Sequence, residues 1–236
     1  MTGIPMTNVS VNAGSVNVYV DGSCVGKGSD SAAGFGVWFG PYHELNFNWM
    51  VTDSDCSSGH DGSHKQNSQK AEIQAATSAI QIAHREKIFC LRIHSDSHHV
   101  LDGITKNEIG KWKQNGWLTC KGRPLVNKGD WINLDKTICM YESCGGILEW
   151  KYVKAHSGNI GNENADRLAK WAAVASYDFL KFFTSSKCPH GCCGCAGPNA
   201  SDAEKRKIAR LTRKMLASRK KTSLQFIHEN KEIILP

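Results

Sequence analysis

The stretch Val16-Asn-Val-Tyr-Val-Asp-Gly-Ser23 decides how the first third of this 236-residue chain is interpreted. Its first five residues alternate between apolar and polar, which predicts a β-strand, and its Asp-Gly-Ser end predicts that the strand stops there. Residues 34–39 and 45–51 predict two further strands, joined through the turn-forming pair Gly40-Pro41. Because three strands follow one another with short connections, an antiparallel meander is expected.

The rest of the chain alternates between helical and strand patterns. Residues 69–85, 131–138 and 162–175 carry helical signals, of which the first and last show apolar residues at helical spacing. Residues 89–94 and 147–153 are short apolar segments typical of strands, and residues 53–65 are polar enough for a loop. The alternation favours parallel crossovers. We therefore predict an α/β fold with a five-stranded mixed sheet, formed by a three-strand antiparallel meander and two parallel strands and flanked by helices.

Four acidic residues recur near the ends of these predicted elements. Strand ends and nearby helix ends converge on one crevice of an open α/β sheet, where clustered carboxylates repel one another and attract divalent cations. Oxygen ligands alone suit Mg²⁺ or Mn²⁺, and a pair of such ions about 4 Å apart suits phosphodiester hydrolysis. Each residue alone also has an ordinary explanation as a turn residue, a helix-dipole partner or a helix cap. The four are Asp21, Glu72, Asp96 and Asp166.

The net charge of +7 comes from one segment near the C-terminus. Residues 201–221 hold nine lysines and arginines against Asp202 and Glu204, and the rest of the chain is balanced. This segment indicates a polyanionic partner or a nuclear address. No apolar run reaches the roughly 20 residues of a membrane-spanning helix, so no membrane partner is expected. No secretory or mitochondrial signal is evident before Asp21, which favours a nuclear or cytoplasmic protein, and a monomer is expected.

Four motifs occur in an order and spacing that closely resemble type 1 ribonuclease H, over about residues 16–175. The last is the most specific, because His156-Ser-Gly158 and Gly161-Asn-Glu163 precede an Asp at the spacing of that family. The resemblance implies a ribonuclease H-like fold, which agrees with the mixed sheet predicted above. The motifs are Val18-Tyr-Val-Asp-Gly-Ser23, Asn67-Ser-Gln-Lys-Ala-Glu-Ile-Gln-Ala75, His94-Ser-Asp-Ser97 and Val153-Lys-Ala-His-Ser-Gly-Asn-Ile-Gly-Asn-Glu-Asn-Ala-Asp166.

The resemblance also implies an activity. Such an enzyme hydrolyses the RNA strand of RNA–DNA hybrids by a two-metal-ion mechanism, with two Mg²⁺ ions (Mn²⁺ is possible), and leaves 5′-phosphate and 3′-hydroxyl ends. By resemblance, Asp21 bridges both ions and Asp166 completes the site of the ion that activates water. Glu72 and Asp96 complete the other site. His156 lies on a mobile loop beside the scissile phosphate and helps the product to leave.

Both strands of the hybrid have predicted contacts. By resemblance, Gly22, Ser23, Ser68 and Gln69 contact the RNA, although Ser68 stands where the family usually has Asn. The basic segment of residues 106–128 resembles the family's protrusion, with Trp112 against a DNA sugar and Asn127 in a phosphate site. Alternatively, its tryptophans pack beneath a solvated loop. The predicted DNA-strand contacts are Lys111, Trp112, Lys113, Trp117 and Asn127.

Three regions are predicted along the chain. Residues 1–15 form a short extension, so the small hybrid-binding domain that precedes many eukaryotic catalytic domains is expected to be absent. Residues 16–178 form the catalytic domain, and residues 179–236 a Cys-rich linker and a basic amphipathic tail. The tail either adds nonspecific affinity for the hybrid, is a nuclear localisation signal, or is a solvated helix. A reduced linker is favoured over a zinc site, because the spacing differs from usual paired ligands. The zinc candidates are Cys188, His190, Cys192, Cys193 and Cys195.

Two other functions remain open. The chain could bind hybrids without cutting them, although binding alone needs neither the four carboxylates nor His156. It could also be another nuclease on the same fold, such as a DNA resolvase or an integrase, although the motif that ends at Asp166 and the basic protrusion favour hybrids. Primer removal during DNA replication and the clearing of R-loops are equally compatible with the sequence.

Overall fold

A computed structural model of the chain describes residues 14–52 and 66–185. Its five strands form one mixed sheet in the order β3-β2-β1-β4-β5. The first three strands pair antiparallel, and β4 and β5 run parallel to β1, which confirms the predicted fold. The strands are β1 (Val16–Val25), β2 (Ala32–Trp38), β3 (Phe47–Met50), β4 (Cys90–Ser95) and β5 (Ile147–Tyr152).

Helices pack on both faces of the sheet. One face is covered by α1 and α4, and the other face is covered over β1 and β2 by α5. Two short helices, α2 and α3, connect β4 to α4. None of the helices in residues 14–52 and 66–185 combines the length and the apolar character needed to cross a membrane. The helices are α1 (Ser68–Arg85), α2 (His98–Thr105), α3 (Glu108–Gln114), α4 (Lys128–Ser143) and α5 (Ile160–Ser185).

The main core lies between the sheet and the pair α1 and α4. Alternate residues of β1 and β4 point into it, and Val18 and Ile93 are fully buried there together with Ile80 of α1 and Trp131 of α4. Burial of each large aliphatic side chain contributes roughly 1.5–3 kcal/mol to folding. The other face of β1 presents Tyr19, which packs with the smaller cluster under α5. The alternation that predicted β1 thus also separates its two faces.

The sequence had predicted that β1 ends at Asp21, but the strand does not stop there. It continues to Val25, because β2 pairs with it through that residue, whereas its pairing with β4 stops at Tyr19. Asp21 therefore lies in a strand, just beyond the last residue that is paired to β4. Gly22 is not a turn residue either. A Cβ at Gly22 would overlap the backbone of α1 at Ala71 and Glu72, so the glycine allows the helix to approach the strand closely.

The helices also differ in detail from the prediction. The apolar pattern does not predict α2 and α3, because both are too short to show several turns of periodicity. α4 extends beyond the predicted residues 131–138, and α5 continues to Ser185, across the boundary predicted at residue 178. Glu72 was expected in the first turn of α1. It is the fifth residue of that helix and so lies just beyond the first turn. The predicted loop of residues 53–65 lies outside the described residues.

Gly34 in β2 provides a test of how tightly α5 packs on the sheet. A Cβ at this position would overlap backbone atoms of Ala172 and Ala173, which cannot move aside as a flexible side chain does. Gly34→Ala is therefore expected to lower the free energy of unfolding by about 1–3 kcal/mol. Urea denaturation measures this change. Gly14→Ala, which meets open space, is the control, and equal midpoints for the two variants would contradict the packing.

Candidate active site

Three of the four predicted carboxylates meet at one edge of the sheet. One carboxylate oxygen from each of Asp21, Glu72 and Asp96 lies within 4.8 Å of the others. Asp21 comes from β1, Glu72 from α1, and Asp96 directly follows β4. Asp21 is 6% exposed, and its carboxylate accepts a 2.7 Å hydrogen bond from the backbone N–H of Gly22. The cluster therefore depends on the meeting of two parallel strands and the helix that packs across them.

The turn after β4 fixes Asp96 through its neighbours. The backbone N–H of Ser97 donates to Oγ of the fully buried Ser95 at 3.1 Å, and Ser97 Oγ caps α2 by accepting from Val100 N at 3.4 Å. Asn162 of α5 donates from Nδ2 to Asp96 Oδ2 at 2.8 Å. Asp96 is thereby held from its own turn and from α5.

Burial and mutual repulsion raise the pKa values of the two deeper acids. Desolvation and then the charge of Asp96 raise the pKa of Asp21 to about 7, against a partial opposing effect from the Gly22 N–H. Desolvation and then the charge of Asp21 raise the pKa of Glu72 well above its usual range. A hydrogen bond between the two side chains lowers the pKa of Asp21 and raises that of Glu72, so this bond favours the charged form of Asp21 and the protonated form of Glu72.

The chemistry of the cluster fits a divalent cation. Oε2 of Glu72 and Oδ1 of Asn162 are buried and have no hydrogen-bond partner in the structure. A buried acceptor without a partner is costly, and a cation bound between the carboxylates supplies what Glu72 lacks. All the grouped ligand atoms are oxygens, which favours Mg²⁺ or Mn²⁺ over zinc. The described residues thus fit one divalent ion at Asp21, Glu72 and Asp96.

Asp166 does not join this group of three carboxylates. It lies in α5 and accepts a 2.6 Å hydrogen bond from Lys170, one turn further along the helix. Asp166 is nevertheless near enough for its charge to raise the pKa of Asp21. The predicted set of four is therefore arranged as three clustered carboxylates and a fourth neutralised by a lysine. The sequence analysis did not single out Lys170, although its i, i+4 spacing from Asp166 is a signal for such a pair.

His156 lies in the connection between β5 and α5 and is exposed. Its φ angle is 49°, which is an uncommon conformation for a residue other than glycine. The loop is braced by Ser157, whose hydroxyl donates to Lys154 O at 2.7 Å, and by Gly158, whose N–H donates to Glu163 Oε1 at 3.1 Å. The histidine therefore stands on a surface loop that leads into the helix carrying Asn162 and Asp166.

The predicted RNA-strand contacts occupy two neighbouring positions. Ser68 and Gln69 are exposed at the start of α1, whose first turn is capped by Asn67 accepting from Lys70 N at 2.8 Å. Gly22 and Ser23 are half-buried in β1, and the close approach of Gly22 to α1 places them beside that helix. The structure therefore brings all four residues to the junction of β1 and α1.

The predicted DNA-strand contacts include both partly buried and exposed side chains. Trp112 and Trp117 are partly buried against the core, and the Trp112 ring meets the Trp131 ring edge-on at 5.0 Å between centroids. Both tryptophans thus pack partly against the core and keep part of their rings exposed. The lysines are exposed and pair with acids, Lys111 with Glu108 at 2.6 Å and Lys113 with Asp135 at 2.9 Å.

Asn127 lies between the predicted DNA and RNA contacts. It precedes α4 with a φ angle of 56°, and its side-chain amide exchanges two 3.3 Å hydrogen bonds with that of Asn67. Asn67 and Asn162 were not singled out from the sequence, although each lies inside a motif quoted above. The five zinc candidates at residues 188–195 lie outside the described residues.

Comparisons with known proteins agree with this architecture. The family model described as RNase H matches residues 13–174. Ribonuclease H1 of Mus musculus is 39% identical over 165 residues, which are 70% of this chain and 52% of the relative. Ribonuclease H of Saccharopolyspora erythraea is 33% identical over 166 residues, or 70% of this chain and 94% of that one. This chain spans about half the length of the mammalian relative.

Among solved structures, a foamy viral protease-reverse transcriptase in complex with dsDNA has a similar fold. The match has a TM-score of 0.50 and 21% sequence identity, and it covers 66% of this chain and 92% of that one. At this identity the likeness concerns the fold alone.

The raised pKa values predict how stability depends on pH without divalent ions. Because the folded state holds protons on Asp21 more tightly than the unfolded chain, stability is lost as the pH rises from about 4 to about 7. Asp21→Asn should therefore raise the melting temperature at pH 8 by roughly 4 °C or more and weaken this pH dependence. Thermal unfolding in EDTA measures both effects. Asp102→Asn, whose side chain is 44% exposed, is the control, and a lower melting temperature for Asp21→Asn would contradict the repulsion.

Proposed function

This chain belongs to the RNase H family, and from that premise we propose that it is an endonuclease that hydrolyses the RNA strand of RNA–DNA hybrids. The observation that carries the proposal is the carboxylate cluster of Asp21, Glu72 and Asp96, which lies within the residues matched by the family. A protein that only binds hybrids has no use for three carboxylates whose mutual repulsion destabilises the fold. Cleavage gives these acids a function.

The carboxylate cluster supports the proposed metal ligands. Asp21, Glu72 and Asp96 would hold one divalent ion, and Asp21 with Asp166 would hold a second after Asp166 exchanges its bond to Lys170. Ions held by these residues would supply activation of the attacking water and stabilisation of the leaving oxygen of the phosphodiester. We propose Mg²⁺, with Mn²⁺ as an alternative, because the ligands are all oxygens.

The protein's own groups orient these ligands. Gly22 N–H fixes the Asp21 carboxylate, and Asn162 fixes Asp96, so two acids from different elements keep their positions without a bound ion. Lys170 pairs with Asp166, and a cation bound by Asp166 would compete with it. His156 stands on the loop that leads to Asn162. We propose that it contacts the scissile phosphate from this loop.

Recognition of the hybrid is proposed to start at the junction of β1 and α1. Ser68 and Gln69 are exposed there and polar, which suits the 2′-hydroxyls that distinguish RNA in a wide minor groove. The exposed Lys111, Lys113 and Lys128 supply positive charge for the phosphates of the DNA strand. Ser68 and Gln69 share α1 with Glu72, and Lys128 begins α4, which packs against α1.

Asp96→Asn tests the proposed activity most directly. The variant removes one ligand charge but keeps the shape of the side chain, so hybrid binding should persist while cleavage falls by about 100-fold or more. The measurement uses labelled RNA–DNA, RNA–RNA and DNA–DNA duplexes with Mg²⁺. We expect the native chain to cut only the RNA strand of the hybrid.

The matched control is Asp102→Asn, which removes the charge of an exposed carboxylate on α2 that pairs with Lys106. This variant should leave cleavage within about twofold of native. Hybrid binding without any cleavage by the native chain would reject the nuclease in favour of a binding module. Cleavage of DNA–DNA duplexes would favour a resolvase or an integrase.

A further inference from the structure

Asp130 is a nearly fully buried carboxylate outside the catalytic cluster. We propose that it is a positioning residue, which locks the start of α4 against α1 and so sets the distance between the DNA-strand and the RNA-strand contacts. The inference rests on the proposed function, because it assigns a role within hybrid recognition. Asp130 is 3% exposed and is the third residue of α4.

Two residues of α1 hold the Asp130 carboxylate. Gln74, which is 8% exposed, donates from Nε2 to Asp130 Oδ1 at 2.7 Å. Lys70 places its Nζ atom 3.9 Å from Asp130 Oδ2, and its side chain is 12% exposed. Each carboxylate oxygen thus has a partner on a different turn of α1. This arrangement fixes the translation of one helix along the other as well as their separation.

Gln74 is itself fixed by the chain that follows β3. Its Nε2 atom also donates to Thr52 O at 2.6 Å, and its Oε1 atom accepts from Thr52 N at 3.1 Å. The amide therefore uses both donor hydrogens and its acceptor, so it has one satisfied orientation. Gln74 joins three segments of the chain, and the Asp130 carboxylate is the member of this network that α4 contributes.

The network lies between the two groups of predicted contacts. On α1, Gln74 is two residues beyond Glu72, and Lys70 directly follows the RNA-strand contacts Ser68 and Gln69. On the α4 side, Asp130 comes three residues after Asn127, whose amide is hydrogen-bonded to that of Asn67. A shift of α4 relative to α1 would move the DNA-strand contact away from the RNA-strand contacts without touching the metal ligands.

A purely structural role does not need a carboxylate here. A buried charge is costly to desolvate, and apolar side chains of similar volume often stabilise a core equally well or better. A hydrogen-bonded carboxylate differs from them because it allows one helix register only, whereas apolar surfaces permit several. The structure thus assigns to Asp130 the fixing of position, which can be separated experimentally from stability.

The decisive variant replaces the polar pair by apolar residues of similar size, Gln74→Met together with Asp130→Leu. We expect it to stay folded, with a melting temperature close to the native one, because the burial of two apolar side chains offsets the cost of removing the Asp130 carboxylate from beside Lys70. Its KM for a labelled RNA–DNA hybrid should rise by about tenfold while kcat stays within about twofold, because contacts are misplaced but the metal ligands are not.

Two controls separate positioning from stability. The Asn side chain in Asp130→Asn can still accept the hydrogen bond from Gln74, so this variant should keep KM within about twofold of native. Thr137→Val changes another buried polar residue of α4, whose hydroxyl bonds only to Asn133 O of the same helix, so it should change stability but not KM. A native KM in the folded apolar variant would overturn the proposal. Should that variant fail to fold, Gln74→Met with Asp130→Asn takes its place, with the same rise in KM expected and a native KM again decisive.

Hybrid affinity in EDTA, measured by fluorescence anisotropy, distinguishes this inference from the proposed function. If the native chain does not cut the hybrid, the nuclease proposal fails, but a tenfold weaker affinity of the apolar variant still supports positioning. If the native chain cuts and the apolar variant keeps both native affinity and native KM, the nuclease stands and the positioning role is rejected.

Discussion

Repulsion between carboxylates at the edge of the sheet is the constraint on which the rest of this structure depends. Asp21, Glu72 and Asp96 approach within 4.8 Å in a largely buried place, which a chain optimised only for stability would avoid. Hydrophobic burial over the whole sheet offsets this cost, since Val18, Ile93 and Ile80 are fully buried in the core that β1, β4 and α1 share. The rigid core therefore holds together groups that would otherwise separate.

Close approach of helix and strand is what makes the convergence possible. Glu72 belongs to a helix, and it reaches Asp21 only because Gly22 lets the α1 backbone come near β1. Gly34 has the same effect for α5 on the opposite face of the sheet. Small residues at these contacts thus determine how near the functional side chains of different elements lie to one another.

Much of this arrangement could be predicted from the sequence, because its signals are local. Alternation gave β1 and helical spacing gave α1, and the order of strands and helices gave the mixed sheet. The continuation of β1 past Asp21 could not be predicted, because it depends on pairing with β2 and not on the Asp-Gly pair itself. The Gln74–Asp130 contact was also hidden, since it joins residues 56 positions apart that show no periodic relationship. Partners across the fold are set by tertiary packing, which a single sequence does not reveal.

The raised pKa values of Asp21 and Glu72 have a consequence for how the site exchanges charge with its surroundings. A cation bound by these carboxylates would compete with protons for them, so its binding would release protons and would be favoured by a higher pH. This edge of the sheet would therefore exchange protons for a divalent cation. Near neutral pH and below, protonation of these acids relieves part of the repulsion that the fold would otherwise carry at this edge.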